Sequence, residues 1–169
     1  MFAKLAVRDG IIVGVAAALW WAFAESSAGS GLLADLTGLI VGFGLGASAY
    51  LFHEWGHIAG AAASGGVLRP GAGLHSVSNF QFDTEQSTRA QFLWMSLGGF
   101  IATGLFLWGY YVLLPDGLLA TRVARGSIAF LTLLGLTLEL PLVLYSLVTN
   151  KIPPLERKTA EEPAGTAAS

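Results

Sequence analysis

The chain has 169 residues, of which 54% are hydrophobic and 12% charged, with a formal net charge of −2. A soluble domain carries roughly a quarter charged residues, so this composition excludes a globule wetted over its whole surface. It offers no basic block for nucleic acid and no cysteine, which excludes disulfides and thiolate metal sites.

The few charges are segregated, and a helix needs roughly 20 apolar residues to cross the hydrocarbon core. Four stretches approach or exceed that length: Gly10 to Ala24 with the small residues beyond it, Leu36 to His53, Ala90 to Pro115, and Gly126 to Asn150. The expected fold class is therefore all-α, an integral membrane bundle of about four transmembrane helices. The spans are placed at 10–29, 33–64, 90–113 and 126–149, inside a membrane domain covering 1–150.

The first element has two readings. Lys4 and Arg8 before an apolar run, with Ala22-Phe23-Ala24 before Glu25, have the pattern of a secretory signal with a cleavage site. Asp9 and the Trp20-Trp21 pair favour an uncleaved span with an interfacial aromatic anchor.

The second span carries Phe52-His53-Glu54-Trp55-Gly56-His57, an H-E-x-x-H pattern. On a helix His53 and His57 stand one turn apart on one face, so both imidazoles can ligate one metal ion, with Glu54 beside them as general base. Ionisable groups are costly at membrane depth, which favours a functional reading; the alternative is two histidines hydrogen-bonding between helices with Glu54 as counter-charge. Gly38, Gly42 and Gly46 form a small-residue stripe that continues through Tyr50 and His53 to His57 and Gly60. Such stripes face neighbouring helices rather than lipid.

The segment 65–89 is polar and reads as a cytoplasmic loop able to fold over the membrane face. Within it His75 suits loop packing, and Asn79-Phe80-Gln81-Phe82 alternates as an edge strand would. Trp94, Trp108 and Tyr110-Tyr111 suit the ends of the third span as interfacial aromatics. The fourth span holds a single charge, Glu139, followed by Pro141, and shares a face with Thr132, Gly135, Ser146 and Asn150. From Lys151 to Ser169 the composition is that of a disordered polar tail.

His53-Glu54-Trp55-Gly56-His57-Ile58-Ala59-Gly60-Ala61, with Gly65-Gly66 following, resembles the site-2 protease family of intramembrane zinc metalloproteases. Ser96-Leu97-Gly98-Gly99-Phe100 is similar to that family's second core helix, without its proline. The resemblance implies Zn2+ ligated by His53 and His57, Glu54 as general base, and hydrolysis of peptide bonds in membrane-embedded protein segments. The family's third ligand, an Asp in Leu-Asp-Gly, is absent. Asn150-Lys151-Ile152-Pro153-Pro154-Leu155-Glu156 is similar in wording but lies past the last span. By the rise of about 1.5 Å per residue, Glu139 sits at the depth of the two histidines, and it is the expected third ligand, with Glu156, Asp83 and His75 as alternatives.

The competing functions are a catalytically inactive relative that binds transmembrane segments, and a metal or proton relay. Lys4, Arg8, Arg69, Arg89, Lys151, Arg157 and Lys158 fall on one side of the spans, against Arg122 and Arg125 on the other. Positive residues favour the cytoplasm, which puts both termini inside and suggests a plasma (inner) membrane. The partners expected are the lipid bilayer and a substrate segment.

Overall fold

The structure, a computed structural model, describes residues 2–70 and 80–154. In chain order it contains α1 (Phe2–Phe23), a 3-10 turn (Ala24–Ala28), α2 (Leu32–Ser64), β1 (Leu68–Pro70), β2 (Phe80–Phe82), α3 (Arg89–Val112), α4 (Leu119–Leu134), a π turn (Gly135–Glu139) and α5 (Leu140–Thr149). The architecture is an all-α bundle with one small hairpin. Three rods, Leu32–Ser64, Arg89–Val112 and the continuous Leu119–Thr149, are long and apolar enough to cross a membrane. Their outward faces expose Phe43, Ile101, Leu105, Phe130, Leu138 and Val148, far more contiguous apolar surface than water tolerates.

α1 starts eight residues before the expected span, which began at 10. Arg8 and Asp9 read as a polar flank in sequence, yet Asp9 is only 3% exposed. Its carboxylate accepts from Arg8 Nε at 2.7 Å and from Trp55 Nε1 on α2 at 2.8 Å. A charge with partners can enter a bundle where a lone one cannot.

α4 starts at Leu119 rather than at the expected 126. Arg125 lies inside it because its guanidinium serves the end of α3 and the turn beyond: it donates to the carbonyls of Tyr110 and Leu114, each at 2.9 Å, and pairs with Asp116 at 2.6 Å. These are among the carbonyls that a helix end leaves without partners. At the start of α4, Ser27 from the 3-10 turn accepts the Ala120 N–H at 3.3 Å, supplying a cap from a distant segment.

The glycine stripe sets the helix register. A Cβ built on Gly38, Gly42 or Gly46 would strike Leu119, Val123 or Ser127 respectively. Both helices thus step by four residues together, running parallel in close contact. Further along α2 the stripe changes partner. Side chains at Gly56 or Gly60 would overlap the carbonyls of Gly98 or Trp94, so α2 and α3 cross backbone to backbone.

Between these helices the chain is pinned at both ends. Gly65 closes α2 in the left-handed region (φ 73°), and the Gly66 N–H reaches back to the Ala61 carbonyl at 2.8 Å. A Thr88/Gln91 capping box opens α3, and Gln91 Nε2 donates to the carbonyls of Ser64 and Gly65. Inside this frame β1 and β2 pair antiparallel, with Arg69 opposite Gln81. Tyr110, expected at the membrane surface, is instead buried and donates to the Leu45 carbonyl at 2.7 Å; Trp94, Trp108 and Tyr111 are exposed.

Candidate metal centre

His53 and His57 both lie on the buried side of α2, facing α3. His53 Nδ1 is 3.2 Å from the Gly99 carbonyl and 2.9 Å from Thr103 Oγ1; His57 Nδ1 is 3.0 Å from the Met95 carbonyl. A carbonyl only accepts, so in each ring the Nδ1 carries the proton. In its neutral form each ring then has only the tautomer that presents Nε2 as a lone pair.

The two lone pairs converge. His53 Nε2 and His57 Nε2 are 3.1 Å apart. Glu139 completes the group, with Oε1 3.0 Å from His53 Nε2 and Oε2 3.4 Å from His57 Nε2. Glu139 Oε2 is buried and has no hydrogen-bond donor. Acceptor atoms facing one another at this distance repel unless a cation or a proton lies between them. His53, His57 and Glu139 are thus a group able to hold a metal ion. Zinc with Zn–N and Zn–O bonds of about 2.0–2.2 Å in tetrahedral geometry sets ligand atoms about 3.3 Å apart, and the three separations match that edge.

Glu139 reaches the histidines through the helix register. From Ser127, three steps of four lead to Glu139; from Gly46, three steps lead to Ile58, next to His57. The π turn adjusts the last step. Leu140 N–H bonds to the Gly135 carbonyl, five residues back, and Pro141 follows. Proline cannot donate to the carbonyl four residues before it and its ring crowds that group. A π turn absorbs the mismatch, and such turns recur at functional sites.

Of the face shared with Glu139, Gly135 and Ser146 are buried, whereas Asn150 ends α5 in the left-handed region and is exposed. Asp83 does not join the metal group: it is bound by Arg69 and by the backbone N–H groups of Glu85 and Gln86. His75 and Glu156 lie outside the described residues, as do Asn79 and the tail from residue 155.

Glu54 is buried on α2, next in the chain to His53. β2 borders the same site: Phe80 stacks at a tilt on His57, ring centres 5.8 Å apart. Sequence reasoning missed the ring-orienting partners Thr103 and the carbonyls of Gly99 and Met95. A single Thr among apolar residues was their only signal, and backbone carbonyls leave none.

Fold and site together define a helical membrane bundle built around a two-histidine, one-carboxylate donor set. Comparison with protein families, curated proteins and solved structures finds no match to this chain.

Proposed function

We propose that the protein is an intramembrane zinc peptidase that hydrolyses peptide bonds in membrane-embedded protein segments. The observation that carries the reading is the meeting of His53 Nε2, His57 Nε2 and Glu139, all acceptors when the imidazoles are neutral, with both histidines on the helix that also buries Glu54. Two neutral nitrogens, one carboxylate and an adjacent second carboxylate are the donor set and base of a hydrolytic zinc site.

Zinc held there would polarise the scissile carbonyl and lower the pKa of a water toward about 7. The rest is done by the chain. Glu54 takes the proton from the attacking water and passes it to the leaving amine. Thr103, Gly99 and Met95 hold the imidazoles in the ligating tautomer. Burial of His53, Glu54 and His57 on α2 limits bulk water beside them, which strengthens charge interactions at the reacting bond. The hairpin end, which gathers Arg69, Arg89 and Lys151, faces the cytoplasm in this reading.

The test uses purified full-length protein in detergent with a fluorogenic peptide of transmembrane composition. About one zinc per chain, lost to a chelator, is expected. Glu54→Gln keeps the zinc and loses cleavage, whereas the His53→Ala, His57→Ala double variant loses both. Zinc retained by that double variant overturns the reading. Stoichiometric zinc with no cleavage of any membrane peptide marks a binder of transmembrane segments instead.

A further inference from the structure

Tyr50 stands one turn before Glu54 on α2, as His53 stands one turn before His57, so two i,i+4 pairs lie side by side on this helix. The Tyr50 hydroxyl hydrogen-bonds the Glu54 side chain. The ring is half-buried. At 100° per residue its direction falls between those of His53 and Glu54, which places a neutral donor beside the acceptors of the site.

A carboxylate has two oxygens and turns freely about its last bond. One that must take a proton from a water beside the metal has to present one oxygen to that water, and needs its other oxygen held. In helix α2 the backbone cannot hold it, because the amides there are engaged within the helix. The Tyr50 hydroxyl, donating to Glu54, is the group in place to do so.

We propose that Tyr50 is a positioning residue that fixes the Glu54 carboxylate toward the reacting water. This inference rests on the zinc peptidase reading. Tyr50 touches neither metal nor substrate; it acts through Glu54. Removing its hydroxyl lowers kcat and leaves KM and zinc content unchanged.

The test is a double-mutant cycle read by binding, with acetohydroxamate as the probe. A hydroxamate ligates zinc and gives its proton to a neighbouring carboxylate, so its affinity reports how that carboxylate is held. Zinc-loaded wild type, Tyr50→Phe, Glu54→Gln and the double variant are titrated. Tyr50→Phe is expected to bind acetohydroxamate about tenfold more weakly, the scale of one hydrogen bond to a charged group. In the Glu54→Gln background the same substitution changes nothing. Tyr50→Leu, which also lacks a donor, shows a similar loss and the same dependence on Glu54.

Equal losses in both backgrounds, or no loss in either, overturn the role of Tyr50 while leaving the peptidase reading intact. Wild-type protein that binds neither zinc nor the hydroxamate overturns the peptidase reading, and this inference with it. Should Tyr50→Phe fail to fold, the Tyr50→Leu variant carries the cycle alone: weaker binding than wild type that persists undiminished in Glu54→Gln refutes the proposal.

Discussion

Trp55, the residue between Glu54 and Gly56, donates its indole N–H to Asp9 of α1 at 2.8 Å, and Asp9 is almost fully enclosed. The helix that bears His53 and His57 is thereby keyed to the first helix by a buried carboxylate. Asp9→Ala leaves that indole and the Arg8 guanidinium without their acceptor, a loss of about 1–3 kcal/mol. Thermal unfolding in detergent should show a lower midpoint for Asp9→Ala than for Asp9→Asn, which keeps an acceptor oxygen. Equal midpoints for both variants and wild type would remove this link from the stability of the bundle.

Gly99 tests how tightly α3 is built against the ligands. A Cβ there would lie 2.5 Å from His57 Nε2, well inside van der Waals contact. The ring can move aside, so Gly99→Ala should fold with its helical content intact. Its zinc affinity should fall at least tenfold, since displacing a ligand costs no less than loosening a group that orients one. Metal analysis together with far-ultraviolet circular dichroism checks both halves of this expectation.

Glu139 and Thr103 separate a ligand from a group that orients one. Glu139→Ala should abolish stoichiometric zinc binding, because two imidazoles alone leave the third protein position empty. Thr103→Val removes one partner of His53 Nδ1 but leaves the Gly99 carbonyl. It should weaken zinc about 10- to 100-fold without eliminating it. Competition with a chelator of known affinity ranks the two variants, and the reverse ranking would transfer the ligand role away from Glu139.

At the hairpin, outside the spans, Asp83 is held below the usual carboxylate range by the Gln86 backbone N–H, aided by Arg69 and the Glu85 N–H. The folded hairpin therefore binds fewer protons than the open one. Its stabilisation is present above the ordinary Asp value of about 3.9 and is lost as pH falls through the lowered one. Amide protection factors across Leu68–Pro70 and Phe80–Phe82, that is, the intrinsic exchange rate at each pH divided by the observed rate, should fall as the pH drops below about 4. In Asp83→Asn the protection should be low already at neutral pH and should show no such acid-dependent fall.

Elements governed by short-range periodicity were legible in the sequence. α2 runs Leu32–Ser64 and α3 Arg89–Val112, each within one residue of the ranges read from apolar length. The two histidines share a face because four residues make about one helical turn, whatever surrounds them. Glu139 stood out because a solitary carboxylate in an apolar span is costly without a partner, and depth alone aligned it with the histidines.

Tertiary structure decided what depends on partners far away in the chain. Within α1, Asp9 is buried against Trp55 and Arg8, and within α4, Arg125 meets carbonyls at the end of α3. The direction of each imidazole was set by carbonyls of Met95 and Gly99, about forty residues on, and carbonyls are the same in every sequence. Periodicity fixes which side of a helix a residue takes; only the contact of one helix with another fixes what it meets there.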